Sequence, residues 1–131
     1  MNKTKQAFAL HGPVEDYPLP YSPALRVGDW VFVAGQGPLD PVTRKVVHGT
    51  IEEETRLTLE NVKALVEAAG ATMAEVVKTT VHLSDVSLFD RFNAVYREYF
   101  PNPKPVRTTV QSVLIGGIQV EIDVVAYSPR P

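Results

Sequence analysis

Residues 50–83 read TIEEETRLTLENVKALVEAAGATMAEVVKTTVHL, a helical pattern followed by a strand pattern. Thr50 and Glu53 have the spacing of a capping box, in which each side chain accepts a hydrogen bond from the other residue's backbone N–H. Apolar residues then recur every three or four positions, which is typical of one buried helix face, and Gly70 is placed to end the helix. Residues 75–83 have the alternation and composition of a strand. The stretch therefore predicts a helix that packs on a sheet.

The strand over residues 75–83 is predicted to have one face under the helices and one face without a helical cover. The first face carries Val77, Thr79, Val81 and Leu83. The second face carries Val76, Lys78, Thr80 and His82. Two helices on one side of a sheet leave the other side bare, so a partner subunit is expected to cover this mixed polar and apolar surface.

Further elements lie on both sides of this stretch. They are a hairpin over 24–27 and 30–34, a short extended piece over 45–47, a second helix from about Ser87 to Phe100, and strands over 106–113 and 119–127. The order hairpin, extended piece, helix, strand, helix, strand, strand is typical of an α+β fold. We expect two helices on one face of a mixed sheet.

A length of 131 residues argues for one domain that spans residues 1–131. Residues 1–19 are expected to form an extended or irregular N-terminal segment, because Pro13 and Pro18 disfavour regular structure. A core of this size is modest, and oligomerisation is a natural way to bury more apolar surface.

The composition is that of an ordinary globular protein, with 44% hydrophobic and 21% charged residues. A formal net charge of -2 gives no support for nucleic-acid binding. The chain has no cysteine, which excludes disulfides, thiolate nucleophiles and cysteine metal sites and fits a reducing compartment. No apolar run approaches the length of a membrane span. We therefore expect a cytoplasmic protein that does not enter a membrane.

Most catalytic and cofactor motifs are absent from the sequence. There is no phosphate-binding P-loop, no G-x-G-x-x-G, no H-E-x-x-H and no G-x-S-x-G. His11, His48 and His82 are too scattered to predict a metal site, and a surface or packed role is the ordinary one for each. We expect no metal and no cofactor.

Arg107 and Glu121 are the two charged residues whose positions call for an explanation. Each lies within a strand rich in β-branched residues, where a charge is unfavourable unless it has a partner. A cross-strand ion pair between Arg107 and Glu121 is one interpretation. In the other, the planar guanidinium binds a substrate carboxylate in bidentate geometry and Glu121 holds a water.

Three residues near the first hairpin are candidates for lining a binding site. Gly35 and Gln36 follow a strand, where glycine lets backbone N–H groups approach a ligand closely, although a simple turn explains them equally well. Tyr21 lies among turn residues, where an aromatic ring either lines a pocket or packs on the surface.

Several short motifs, in this order and spacing, resemble the Rid family of reactive intermediate deaminases, also called the YjgF family. The resemblance runs from Tyr21 to the C-terminus. The motifs are PYSPA at 20–24, VAGQ at 33–36, PLDP at 38–41, ENVKA at 60–64, EAAG at 67–70, VVKTTV at 76–81, FNAVY at 92–96, YF at 99–100, PVRTTV at 105–110 and VEID at 120–123.

The resemblance implies a chorismate-mutase-like α+β fold. It also implies a homotrimer in which the sheets form a central barrel, the helices lie outside, and three clefts lie between subunits. Active members of the family hydrolyse 2-aminoacrylate and related 2-imino acids to 2-keto acids and ammonia without a cofactor. Arg107 matches the arginine that binds the substrate carboxylate, and Glu121 matches a glutamate associated with the water. Gly35 and Thr109 match backbone ligand contacts, and Tyr21 matches an aromatic lining residue.

The sequence departs from the usual family pattern around the implied cleft. Ala34 replaces a frequent serine, Thr109 a frequent cysteine, and Gly37 a frequent isoleucine, while the loop 114–117 lacks the usual proline. These changes leave three alternatives to a general imine deaminase. They are a pathway-specific deaminase of an aminomuconate-like compound, a non-catalytic regulator that binds a keto acid, and an endoribonuclease, which the lack of a basic patch disfavours.

Overall fold

The computed structural model describes residues 4–131 and contains one mixed sheet of six strands, covered on one face by two α-helices. The main elements are β1 (Gln6–Phe8), β2 (Ala24–Val27), β3 (Trp30–Gln36), α1 (Ile51–Ala68), β4 (Val76–Leu83), α2 (Phe89–Tyr96), β5 (Val106–Gln111) and β6 (Val120–Tyr127). The strand order is β1-β2-β3-β6-β4-β5, in which only β4 and β5 run parallel. This confirms the predicted α+β architecture.

The predicted capping box starts α1. The Glu53 N–H donates to Thr50 Oγ1 at 3.1 Å, and the Thr50 N–H donates to Glu53 Oε1 at 2.9 Å. One face of the helix is buried against β3 and β6, with Leu59, Val62 and Val66 in the core. The sequence pattern and the capping signal therefore agree on the position of the helix that organises the core.

The face prediction for β4 is correct from Thr79 onward and wrong at the start of the strand. Val76 is buried and Val77 is 41% exposed, the reverse of the expectation. The pairing of β4 with β6 shifts between Val76 and Lys78, so a bulge moves the alternation by one residue. Beyond the bulge Thr79, Val81 and Leu83 lie in the core, as predicted.

The N-terminal segment contributes a strand that the sequence did not reveal. Residues 6–8 form β1, which pairs antiparallel with β2, and a short 3-10 turn follows over Val14–Asp16. The first three residues of the predicted extended segment lie outside the described part of the chain. A strand of this length carries too few residues to show an alternation.

Two predicted elements end earlier than expected. Helix α2 stops at Tyr96 because Glu98 and Tyr99 donate to carbonyls three residues back, in a turn that precedes Pro101. Strand β5 stops at Gln111 because its neighbour β4 ends at Leu83, the residue paired with Gln111. The predicted extended piece over 45–47 makes only one isolated bridge, from Val46 to Leu39.

Across residues 4–131, none of the helices combines the length and the apolar character that a membrane crossing would require.

Candidate active site

The guanidinium of Arg107 is fixed by helix α2. Arg107 pairs with Thr79 in the sheet and therefore points to the helix-covered face. Its Nη1 donates to Asn93 Oδ1 at 2.8 Å, and its Cζ lies 4.7 Å from the centroid of the Tyr96 ring. The Phe89 ring lies 5.5 Å from the same carbon. A neutral amide and aromatic faces orient the cation without neutralising it.

Arg107 lines an open cleft of about 470 Å³ at the edge of the sheet. Tyr96 forms one wall, and its hydroxyl shares a hydrogen bond of 2.7 Å with Thr79 Oγ1. Burial raises the pKa of Tyr96, and the hydrogen bond to Thr79 and the charge of Arg107 oppose this shift. The phenol is therefore neutral near pH 7 and serves as a fixed wall beside the cation.

Glu121 lies on the opposite, uncovered face of the sheet. It pairs with His82 across β4 and β6, and its carboxylate lies over Gly35 on β3. A Cβ placed on Gly35 would come within 2.8 Å of Glu121 Oε2. A side chain at position 35 would therefore displace the Glu121 carboxylate, which shows that the two residues lie next to each other on this face.

The uncovered face near Glu121 is polar. His82 Nδ1 and Ser112 Oγ are 2.8 Å apart. Burial raises the pKa of the Asp123 carboxyl, while the charges of His82 and Lys78 and a hydrogen bond with Thr80 lower it in part. Further burial of this face would raise the pKa of Asp123 more, because desolvation disfavours the charged form of a carboxyl.

A side pocket of about 260 Å³ opens beside Gly35. Gly35 lines it through its backbone, and the charged, polar and aromatic lining residues are Tyr17, Tyr21, Gln36, Asp40, Arg44 and Asn61. Asn61 on α1 donates to the carbonyls of Gly37 at 3.1 Å and Leu39 at 2.8 Å, which fixes the loop after β3. Gln36 Nε2 donates to the Ala34 carbonyl at 3.0 Å, which closes the turn at the strand end.

The candidate residues fall into two groups within one chain. The first group comprises Tyr21, Gly35, Gln36 and Glu121. The second comprises Arg107 and Thr109, which both lie on the edge strand β5 and face the helices. Thr109 Oγ1 is buried and makes no hydrogen bond within the described residues. Strand β4 separates the two groups.

The interpretation of Arg107 and Glu121 as a cross-strand ion pair is wrong within the chain. Their strands are not neighbours, because β4 lies between β5 and β6. Their side chains also point to opposite faces, since Arg107 pairs with Thr79 and Glu121 with His82. The ion pairs formed within residues 4–131 join Arg56 to Glu98 and Arg91 to Glu52.

Sequence reasoning missed the residues that support the site. Asn93 holds Arg107, and Arg44 lines the side pocket. A polar Asn93 beside Phe92 on a helix with an aromatic stripe was an available signal for a buried polar contact. Arg44 gave no signal, because it lies in a turn where a basic residue is ordinary. Over residues 4–131 no group of three or more histidine, aspartate or glutamate side chains is arranged to hold a metal.

Residues 16–128 match the family model described as Endoribonuclease L-PSP. A RutC family protein of Pyrococcus abyssi is 47% identical over 109 residues, which cover 82% of this chain and 86% of that protein. The chain belongs to the YjgF/Rid family. The family resemblance drawn from the short motifs is thereby confirmed.

Two further Rid relatives connect the chain to a named activity and to a solved fold. The human 2-iminobutanoate/2-iminopropanoate deaminase is 37% identical over 108 residues, which cover 82% of this chain and 79% of that protein. The crystal structure of the YjgF gene product from E. coli superposes with a TM-score of 0.82 at 31% identity. That match covers 93% of this chain and 98% of the E. coli chain, which confirms the YjgF-like fold.

Proposed function

We propose that this Rid-family protein hydrolyses 2-imino acids to 2-keto acids and ammonia, in clefts between the subunits of a homotrimer. The proposal rests on the orientation of the Arg107 guanidinium and on its lack of a carboxylate partner among the described residues. The guanidinium is oriented at an open cleft by Asn93 and aromatic rings, and within residues 4–131 it makes no ion pair with a carboxylate. A fixed, accessible guanidinium of this kind suits a substrate carboxylate.

Binding at Arg107 places the imino carbon. Two parallel N–H···O hydrogen bonds to the α-carboxylate fix both the position and the plane of a 2-imino acid. The neighbouring C=N carbon is then held in one orientation toward the attacking water, which lowers the entropic part of the barrier. Backbone groups at Gly35 and Thr109 are the proposed contacts for the imino nitrogen.

Glu121 is the proposed general base. Its carboxylate accepts a proton from a water whose oxygen forms a bond to the imino carbon, the π electrons of the C=N bond move to nitrogen, and Glu121 returns the proton to that nitrogen. In the resulting carbinolamine, Glu121 carries the hydroxyl proton to the amino nitrogen, the C=O bond forms as the C–N bond breaks, and ammonia departs from the 2-keto acid. Imines hydrolyse in water without help, so a positioned carboxylate and an anchoring arginine are sufficient machinery.

The proposed site needs two chains. Arg107 and Glu121 face opposite sides of one sheet, so a single chain does not bring them to one substrate. Strand β5 is an edge strand, and apolar residues beside it are exposed, Val106 at 67% and Ile115 at 94%. An unpaired edge and exposed apolar side chains favour coverage by another copy of the chain. A trimer with intersubunit clefts satisfies these features.

Similarity to a named deaminase supports imine hydrolysis as the proposed reaction. The human relative carries the name 2-iminobutanoate/2-iminopropanoate deaminase, and Arg107 and Glu121 are present in this chain at the positions that match the family pattern. The family model bears the description Endoribonuclease L-PSP, which makes RNA cleavage the second candidate. A net charge of -2 disfavours it, because RNA binding relies on clustered cations.

The test is Glu121→Gln. The amide keeps the size and hydrogen-bonding capacity of the side chain but is a very poor base, so turnover of 2-iminopropanoate should fall roughly a hundredfold. Affinity for the product-like 2-ketobutanoate and the melting temperature should remain close to those of the wild type. Glu67→Gln, on the exposed face of α1, is the matched control and should leave all three quantities unchanged.

Other outcomes contradict the proposal in different ways. Loss of keto-acid affinity and stability in step with turnover would show that Glu121 acts as a structural partner and not as a base. A wild-type protein that binds keto acids but turns over no imino acid would be a regulator. If the wild type cleaves RNA and Glu121→Gln cleaves it equally well, the protein has an endoribonuclease activity that does not depend on Glu121.

A further inference from the structure

We propose that the side pocket binds the second carboxylate of a 2-imino dicarboxylic acid through Arg44. This inference rests on the proposed function and names its substrate class. The side pocket shares Gly35 and Tyr21 with the candidate site, so a substrate whose reacting carbon lies near Gly35 can extend its side chain into the pocket. The residues at the far end of the pocket then decide which substrates bind, according to the group at the end of the substrate's side chain.

Arg44 has a buried hydrogen-bond donor without an acceptor. Its Nη1 is inaccessible to solvent and makes no hydrogen bond within the described residues. Its Cζ lies 4.4 Å from the centroid of the Tyr17 ring, so a stacked aromatic face covers the guanidinium on one side. A buried, unpaired guanidinium N–H is unfavourable unless an acceptor arrives, and the best acceptor for it is a carboxylate.

The backbone at Arg44 adopts a conformation that is uncommon for an arginine. Its φ is 62°, in the left-handed region that glycine or asparagine normally occupies. The turn itself is stabilised without the side chain, because the Arg44 N–H donates to the Asp40 carbonyl at 2.8 Å. An arginine in this conformation therefore contributes little to the turn, and its side chain is the part that requires explanation.

The surroundings leave Arg44 available for a ligand. Asp40 also lines the side pocket, but its Oδ1 accepts hydrogen bonds from the Val42 and Thr43 N–H groups, both at 2.9 Å. No ion pair forms between Asp40 and Arg44 within the described part of the chain. Among the described residues that line the pocket, Arg44 is the one cation.

The rest of the pocket suits a short carbon chain between two carboxylates. Its walls include Leu39 and Leu65, and the Tyr17 and Tyr21 rings meet edge to face with centroids 5.9 Å apart. Methylene groups pack well on such a surface. An apolar passage with a reactive centre at one end and a cation at the other selects dicarboxylates over monocarboxylates of the same length.

The experiment measures binding and turnover separately. Calorimetry compares 2-oxo dicarboxylates of four to six carbons with 2-oxo monocarboxylates of the same length, on the wild type and on Arg44→Gly. Glycine suits the left-handed backbone, so the variant should fold at least as well as the wild type. Lys45→Gln is the control, since it removes a neighbouring exposed charge outside the pocket.

We expect the wild type and Lys45→Gln to bind the best dicarboxylate roughly tenfold or more tightly than its monocarboxylate counterpart, and Arg44→Gly to lose that preference. The matching imino acids should show the same change in relative kcat/KM. Equal binding of both classes by the wild type, binding of neither, or a preference that survives in Arg44→Gly would overturn the inference. If the wild type binds dicarboxylates more tightly through Arg44 but hydrolyses no imino acid, the role of Arg44 in binding stands and the proposed deaminase activity is wrong.

Discussion

At the scale of single residues, the neutral surroundings of Arg107 explain why it is available to a ligand. Asn93 takes one N–H, and the rings of Tyr96 and Phe89 cover the guanidinium. None of these groups carries a negative charge that would compete with a substrate carboxylate. The remaining N–H groups of the fork therefore retain their affinity for an anion.

Replacement of Arg107 by lysine tests this account of the fork. Arg107→Lys keeps the positive charge but loses the planar pair of donors, at a cost of about 2 kcal/mol in carboxylate binding. We expect kcat/KM for 2-imino acids to fall about thirtyfold while the melting temperature changes little. Arg56→Lys, at an exposed ion pair on α1, should behave as the wild type. A lysine variant with normal turnover would show that Arg107 does not clamp the carboxylate.

Asp123 provides a test of the electrostatics on the uncovered face. Burial raises its pKa in the folded state, so the folded protein binds more protons than the unfolded chain in the window between the two values. Stability therefore falls as the pH rises through that window. Asp123→Asn should raise the melting temperature at pH 7.5, and the gain should vanish well below pH 4, where both states of the wild-type carboxyl are neutral. An equal gain at both pH values would contradict this origin.

At the scale of elements, buried Arg26 joins three parts of the fold. On β2 it is only 4% exposed, and it donates to the carbonyl of Ala69, at the C-terminal end of α1, at 3.1 Å. A second hydrogen bond of 2.5 Å reaches the Ser128 carbonyl just after β6. The cation also lies at the end of α1 where the helix dipole favours positive charge.

We expect Arg26→Met to destabilise the protein by about 3 kcal/mol, because two buried carbonyls lose a charged donor while the apolar packing is kept. Thermal unfolding at fixed protein concentration measures the effect. Arg130→Met, at the exposed C-terminal end, is the control and should be neutral. A shift for Arg26→Met no larger than that of the control would show that the contact contributes no net stability.

The sequence predicts those elements whose signals are local. The capping box, the spacing of apolar residues and Gly70 locate α1, and the turn at residues 28–29 locates the hairpin. It misses β1 and the bulge after Val76, since pairing partners determine both of them and the partners are distant in the chain. The interpretation of Arg107 and Glu121 as an ion pair was wrong for the same reason, because the order of strands in the sheet decides which strands are neighbours.

The candidate site was predictable in its residue types but not in its arrangement. An arginine inside a strand and a glycine at a strand end are visible in the sequence, and Gly35 does contact Glu121. The support from Asn93 and the unpaired donor of Arg44 depend on tertiary packing. The spacing of apolar and polar residues along the sequence does not predict contacts of this kind.

At the scale of the whole molecule, the proposed site needs two chains. Within one chain, Glu121 lies on the uncovered face of the sheet and Arg107 on the helix-covered face of the edge strand β5. A neighbouring copy can bring its own β5 edge toward the uncovered face. A trimer, as proposed, would form three such contacts between neighbouring chains and would cover exposed apolar residues.

The most direct test mixes two variants that are each strongly impaired. Arg107→Lys and Glu121→Gln chains are co-expressed with different tags, the mixed oligomers are purified, and light scattering checks that they are trimers. If each site takes Arg107 from one chain and Glu121 from its neighbour, every mixed trimer, whether two-to-one or one-to-two, contains one intact site out of three. We therefore expect about a third of the wild-type imine turnover, far above that of either variant alone. Activity no higher than the average of the two variants would contradict the shared site.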